Sequence, residues 1–347
     1  MNESEPYARQ LIRADDALAP VHHVLIAISD MASGHVNSLA LGNNGSAGGL
    51  VRIQDPFRTG SITKMFTAVL ILQLCESGQL SLQAPASTVL PAAVATSLQQ
   101  HAHFPKALNI AHLLQHRSGL PDYLSPESGL ISRAFSNQSR QWLPEELLND
   151  FLSHLEGLPH PPGTDFLYAD TNYLLLGMIA EYLTGSSLAA LMNVRIIETL
   201  NLQNTWFEGT RPGQQPLTHY YGPHAMNDVN FSFDWGGGGI ISTAHDLSVF
   251  LHALHKGRLF RNLSTLQAMT DFFASGEESL AYGLGIQQFT YKGIRLQGHI
   301  SAYGAAAFYH PADSTAFVLQ LDQAAAVHKT QWLLRKLVQD RYLKNPI

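Results

Sequence analysis

The sequence predicts an α/β (α+β) chain: a mostly antiparallel sheet flanked by terminal helices, with a largely helical insert. Three observations predict it. Apolar runs of strand character stand near the start, at "VLIAISD" (Val24–Asp30) and "HVNSLALG" (His35–Gly42). Others stand near the end, at "GIRLQGHIS", "AAAFYHP" and "TAFVLQLDQ", joined by turns short enough to make them antiparallel. The chain between is helical and loop-rich. Strands at both ends with helices between give a discontinuous sheet unit, residues 1–58 plus 260–347, and a mainly helical unit, 59–259.

Each element follows from its residues. The first two runs flank a small polar turn, "MASG", and read as a hairpin; a Gly/Asn/Ser loop (42–49) follows. The stretch 61–77 is apolar nearly all round, so it is a central buried helix, with Gly78 as its stop. "PEELLNDFLSHLEG" (144–157) has proline at an N-terminal helix position and apolar spacing of three and four. "TNYLLLGMIAEYLTG" and "SLAALMNVRIIETLN" are further helices. "TAHDLSVFLHALHKG" (243–257) is opened by Ser242-Thr243 and closed by Gly257. "KTQWLLRKLVQDRYL" is a final amphipathic helix.

Composition bounds the function. The chain has 347 residues, 45% hydrophobic and 14% charged, enough for a large core in one domain or two interlocked ones. A net charge of −6 with no basic stripe argues against a nucleic-acid partner. No apolar stretch reaches the length of a membrane span, since "FTAVLILQL" stops at Cys75-Glu76. Cys75 is the single cysteine and lies within the apolar run, so it reads as a buried, inert thiol. The N-terminus "MNESEPYARQ" has no apolar signal-peptide region, and the chain as it stands reads as cytoplasmic; it would be periplasmic or secreted had a leader been removed. His112 and His116 are four apart, a spacing that could bring two imidazoles together on a helix. The glutamate that zinc proteases place between such histidines is missing, however. No metal and no organic cofactor are expected. Oligomeric state is not legible.

The chemistry concentrates in "DPFRTGSITKMFTAVLILQL" (55–74). Ser61 and Lys64 are three apart and share a helix face, which sets an ammonium against a hydroxyl. A serine is a poor nucleophile until something accepts its proton. Helix-start N–H groups suit a developing oxyanion. A lysine in a buried helix needs a partner or loses its charge. Taken alone, the pair also fits a lysine that snorkels from the start of a helix.

Five segments together resemble the serine β-lactamase and penicillin-binding-protein superfamily, in the branch of class C β-lactamases, D-alanyl-D-alanine carboxypeptidases and esterases. They are "DPFRTGSITKMFTAVL", "HLLQHRSGLPDY", "PPGTDFLYADTNYLLLGMIAEYLTG", "GGGGIISTAHDLSVFLHAL" and "YGLGI", and they run in family order from about Gly42 to Pro311. The resemblance implies a β-lactamase/transpeptidase-like fold, with Ser61 as nucleophile and Lys64 and Tyr168 moving its proton. Tyr168-Ala169-Asp170 matches the family's Y-x-N, with an aspartate for the asparagine. His299-Ile300-Ser301 matches its K/H-x-G, with a serine for the glycine. His299, read as protonated, would join Lys64 in lowering the Tyr168 pKa to about 7. The oxyanion hole falls by position on the backbone N–H groups of Ser61 and Ala302. Asp170, Ser301 and Tyr303 are expected to face the substrate.

Asp170 cannot donate the amide hydrogen that asparagine offers a substrate carbonyl. Either acylation is slower on ordinary amides, or the substrate brings a cation or a donor; the second, an amine-bearing or hydroxyl-bearing substrate, is the expectation. No G-x-S-x-G elbow, S-D-N or K-T-G is present, and Gly236–Gly239 lacks the ending of a phosphate loop. The expected activity is a serine hydrolase that works through an acyl-enzyme on an ester, amide or D-amino-acid peptide, with a small-molecule or peptide substrate. The alternatives are an acyltransferase using the same intermediate, and a non-catalytic penicillin-binding-like protein.

Overall fold

The computed structural model describes residues 4–344, except 14, 15, 17, 31, 32, 46 and 47. Two residues of the expected "MASG" turn and two of the 42–49 loop therefore lie outside the described residues.

Among the described residues the large sheet has eight strands, here β1 His23–Asp30, β2 His35–Gly42, β3 Phe273–Ala274, β4 Leu280–Tyr282, β5 Gln287–Tyr291, β6 Ile294–Ile300, β7 Ala305–His310 and β8 Thr315–Leu321. Their order is β2-β1-β8-β7-β6-β5-β4-β3, and every neighbouring pair is antiparallel. The first and last strand-forming segments of the chain thus pair with each other, as the second and third strands from one edge, where Val24 pairs with Leu321 and Ile28 with Phe317. The central strands are buried on both faces, which is why they read as nearly continuous apolar runs. Period two still sorts them. Val24, Ile26, Ala306, Phe308, Phe317 and Leu319 face one core; Leu25, Ala27, Ala305, Ala307, Ala316 and Val318 face the other.

The helices used below are α1 Glu5–Arg13, α2 Thr63–Glu76, α3 Pro144–Ser153, α4 Thr171–Thr184, α5 Ala244–His255 and α6 Val327–Gln339. On the first face lie α1 and α6, through Ala8, Leu11, Leu333, Leu334 and Leu337. Terminal helices were expected to flank the sheet, but the residues of α1 do not mark it, because a short charged segment hides an apolar stripe one turn apart. On the second face lies α5, packed on β1, β7 and β8 although it falls within the 59–259 stretch. The core it joins continues without a break into α2, α3 and α4.

A small three-stranded sheet of Phe57–Arg58, Ile240–Ser242 and Trp206–Phe207 leads into α2. Thr59 anchors that entry, its N–H and hydroxyl both donating to the Ile240 carbonyl at 3.0 and 2.9 Å. The helix proper starts at Thr63, after a 3-10 turn over Gly60–Ile62, so Ser61 sits on the tighter turn. Cys75 is only half-buried, and burial still pushes its thiol up to about 11, which keeps it unreactive. Among the described residues no single helix is long and apolar enough to cross a membrane.

Candidate active site

Helix α2 buries Lys64 completely, and its ammonium finds three acceptors for three hydrogens. They are the Ser61 hydroxyl at 3.1 Å, the Gly237 carbonyl at 3.1 Å, and the Asp170 carboxylate in a close ion pair. The charge inside the apolar helix is thus paired rather than snorkelling. Asp170, with Tyr168 adding to it, outweighs burial and raises the Lys64 pKa, so Lys64 stays an ammonium at any physiological pH. A saturated ammonium orients Ser61 and has no lone pair with which to take its proton.

Glycine is required at 237 because the chain passes against this pair. An added Cβ would stand 2.3 Å from Asp170 Oδ1 and 3.3 Å from Lys64 Nζ. Gly236, next to it, accepts from the Thr67 hydroxyl at 2.7 Å, so the glycine run is stitched to α2 by its carbonyls. Gly237→Ala is expected to lower kcat about a hundredfold by displacing Lys64. Ester hydrolysis, with circular dichroism to confirm the fold, checks this.

Tyr168 arrives on the loop before α4. That loop is bolted to the "HRSGLPDY" turn: Leu167 N–H donates to the His116 carbonyl at 2.8 Å, Ala169 N–H to His116 Nδ1 at 3.1 Å, and Asp170 N–H to Asp122 at 3.1 Å. The Tyr168 hydroxyl is buried beside Ser61 and Lys64, both of which lower its pKa, yet it has no partner of good hydrogen-bond geometry. Burial dominates, aided by the Asp170 charge, and the phenol is pushed above its ordinary value. The expectation of a tyrosine brought down to about 7 fails here: Asp170 cancels much of the Lys64 field, and the second cation is missing.

That second cation was to be His299. The ring is fully buried, and burial followed by the Lys64 charge pushes its pKa down to about 3, so it is neutral. His299 Nδ1 lies 2.7 Å from the Ile300 carbonyl, which must be given a hydrogen, so Nε2 is an acceptor. The Tyr282 hydroxyl, 3.0 Å away, donates to it. On the other side Tyr282 lies 3.1 Å from His116 Nε2. His116 Nδ1 already accepts from Ala169 N–H, so Nε2 carries the proton and donates to Tyr282. The chain His116→Tyr282→His299 therefore has one direction. Its first ring stacks on Tyr168 with centroids 4.1 Å apart.

His116 and Tyr282 are site residues that sequence reasoning missed, although both lie in segments that carried the family resemblance. The helix Ile110–Leu114 ends before His116, which takes φ 54°. The His112–His116 spacing therefore does not stack two imidazoles: His112 caps its own helix, and His116 turns in toward Tyr168.

Ser61, Tyr168, Asp170, Ser301, Ala302 and Tyr303 all line one cavity of about 730 Å³. Its walls include Phe135, Phe166, Phe231, Phe233 and Met226, an apolar lining. Three further carboxylates line it, the exposed Glu277 and the more enclosed Asp122 and Asp234. Burial first, then the charge of Asp170, pushes Asp122 and Asp234 up to about 7. Neither was picked out from the sequence, since an aspartate beside a proline or tryptophan carries no local signature. The Ser61 N–H does not stand open: it donates to Ser301 Oγ at 3.2 Å, which also takes the Tyr303 N–H at 3.0 Å. Ala302 lies on the cavity wall between them.

The family model described as Beta-lactamase matches residues 26–339. This chain belongs to that family. Among its relatives are penicillin-binding protein 4 of Amycolatopsis lactamdurans, 29% identical over 55% of this chain and 46% of that protein, and a putative D-alanyl-D-alanine carboxypeptidase of Escherichia coli K12, 26% identical over 68% and 61%. The chain spans about half the length of the first curated relatives it matches. The fold of this Beta-lactamase-family chain is shared by a D-stereospecific amidohydrolase from a Streptomyces species (TM-score 0.81, 24% identity, covering 98% and 99% of the two chains). It is also shared by the D-amino acid amidase of Ochrobactrum anthropi SV3 (TM-score 0.77, 22% identity, 97% and 99%).

Proposed function

We propose that the protein is a serine hydrolase that forms an acyl-enzyme on Ser61, and that its substrates are amides or esters carrying a free amine, D-aminoacyl compounds foremost. One observation carries the substrate class. Besides the exposed Glu277 the cavity presents three carboxylates, Asp122, Asp170 and Asp234, and the ammonium beside them, Lys64, is already spent on Asp170. Burial and then the charge of Asp170 raise the pKa of Asp122 and Asp234, no lysine or arginine stands among the described residues lining the cavity, and a substrate ammonium supplies the missing cation. The apolar walls accept a bulky side chain. The amidohydrolase that shares the fold is named D-stereospecific, the amidase is named for D-amino acids and the putative carboxypeptidase relative for D-alanyl-D-alanine, which supports the same reading.

The resting protonation states suggest how the proton moves. Lys64 is charged, Tyr168 is a neutral phenol and His299 a neutral imidazole. Ser61 Oγ accepts from Lys64, so its own hydrogen is free to go to Tyr168. A neutral phenol serves as a relay: its oxygen takes the serine proton while its own hydrogen passes to the leaving nitrogen or oxygen. The Ser61–acyl bond forms, the bond to the leaving group breaks, and the leaving group departs neutral. Water then uses the same path in reverse. A substrate ammonium near Asp170 restores the field that Asp170 removes from Tyr168, so the cation aids chemistry as well as binding.

A fluorophosphonate probe is expected to label Ser61 in the wild type and to leave Ser61→Ala unlabelled; failure to label either the wild type or Ser301→Gly would point to the non-catalytic alternative. D-phenylalanine p-nitroanilide is then compared with its N-acetylated form. The free amine is expected to be preferred about tenfold or more in kcat/KM, with the preference lost in Asp234→Asn. Equal rates on both substrates would remove the amine from this reading. Added alcohols or amines that divert most of the acyl group would make the protein an acyltransferase.

A further inference from the structure

Where β6 turns into β7, a serine stands in place of the family's glycine, and its hydroxyl is held from two sides. Ser301 is fully buried; its N–H donates to the Ala305 carbonyl at 2.8 Å, and the Gly304 N–H returns to its own carbonyl at 3.2 Å. The side chain therefore hangs from a closed turn. Its oxygen receives the N–H groups of Ser61 and Tyr303 at 3.2 and 3.0 Å. The Ser61 N–H is one of the two groups expected to hold the oxyanion, with that of Ala302, while the Tyr303 bond fixes the hydroxyl within its own turn. That oxyanion donor is thus already engaged by the protein itself. The opposite wall is shaped to allow it: Gly60 has φ 51°, and a Cβ there would lie 2.3 Å from Ser301 Oγ.

We propose that the Ser301 hydroxyl is the resident occupant of the oxyanion hole, and that a substrate's carbonyl oxygen has to displace it before Ser61 is acylated. The inference rests on the serine-hydrolase reading above. Ser61 has one N–H hydrogen, and while Ser301 holds it the carbonyl under attack goes without. Displacement breaks two hydrogen bonds, and the stronger bond to a charged oxygen is gained only as charge develops. A small substrate held by nothing else meets this cost unaided. A substrate anchored by an ammonium at the carboxylates and by a side chain in the apolar cavity presents its carbonyl at high effective concentration and displaces the hydroxyl. Ser301 is thus a gate that discriminates against unanchored carbonyl compounds, and no proton or bond change is asked of it.

The test is the rate at which Ser61 is covalently modified by a fluorophosphonate and by p-nitrophenyl acetate, neither of which carries an ammonium. Ser301→Gly and Ser301→Ala are expected to react about tenfold faster than wild type. Ser301→Cys, whose thiol is a weaker acceptor, is expected to fall between. The gain should shrink on D-phenylalanine p-nitroanilide, which a general loosening of the site would not produce. Variants that melt as wild type does yet react no faster overturn the gate. Should they fail to fold, the phosphonylated wild type decides by crystallography. Ser301 turned away, with a phosphoryl oxygen on the Ser61 N–H, supports the gate; Ser301 Oγ still on that N–H overturns it. A wild type that resists the probe while Ser301→Gly accepts it supports the gate in its strongest form. If no variant is labelled, the hydrolase reading itself falls.

Discussion

Lys64→Met is expected to lower kcat about 10²–10⁴-fold and to destabilise the fold by about 3–5 kcal/mol. The two losses have separate causes. Catalysis fails because the ammonium that orients the Ser61 hydroxyl and supplies the local positive field is gone. Stability fails because Asp170, whose side chain is 13% exposed, is left without its cation, and the Gly237 carbonyl loses its donor. The double variant Lys64→Met with Asp170→Leu removes both charges together and should regain most of the stability while staying inactive. Asp170→Asn alone should cost less in both respects, since its amide oxygen still accepts from Lys64. Denaturant melts and ester hydrolysis on wild type and these three variants read both losses. A Lys64→Met enzyme that kept the wild-type rate would end the activation scheme.

The second large effect is on stability against pH. His219 and His299 are buried, unshared by any carboxylate, and pushed down to about 3, mainly by burial. Unfolded, they bind a proton near pH 6.5. Below that pH the unfolded chain binds more protons than the folded one, so each histidine lowers stability as pH falls from 6.5 toward 3. At pH 5 the loss is about 2 kcal/mol per ring. Asp122 and Asp234 act in the opposite sense. Their folded pKa stands at about 7, raised by burial and by Asp170, so the folded chain binds the extra proton. The stability they contribute is fully present below their unfolded pKa near 4 and is lost as pH rises through 7. Between pH 7 and 5 acidification therefore gains about 2 kcal/mol from each aspartate and loses a similar amount to each histidine. Wild type should change little over that range on account of these four groups. Asp234→Asn removes one gain and should make the acid loss steeper; His219→Phe removes one loss and should make it shallower. Thermal melts from pH 7 to pH 5 read both. Parallel curves for wild type and Asp234→Asn would show that Asp234 is ionised in the fold at pH 5.

Much of the architecture was legible. The strands at the two ends of the chain announced a sheet closed by its termini, because an apolar strand buried on both faces has a plain signature. Helix α2 was legible for the same reason. The short charged α1 was not, since its apolar stripe is too brief for periodicity to register. At the site, Ser61 and Lys64 follow from spacing on one helix face, and Tyr168, Asp170, His299 and Ser301 follow from the resemblance. His116, Tyr282, Asp122 and Asp234 did not emerge, although three of them lie in motif segments. A motif shows that a residue is present; it does not show which way the side chain turns.

What the sequence determined by itself is local: a hydroxyl and an ammonium three residues apart on one face, apolar strands at both ends, and glycines that stop helices. Protonation and occupancy were decided by the tertiary structure. Asp170 reaches Lys64 from 106 residues away, Gly237 from 173, and Ser301 reaches the Ser61 N–H from 240. A pKa depends on how completely water is excluded and on which charges lie within a few ångströms, and neither exists until distant segments pack. That is why the sequence suggested a protonated His299 and a lowered Tyr168, while the folded chain holds both neutral and sets a serine hydroxyl where the substrate's oxygen is to go.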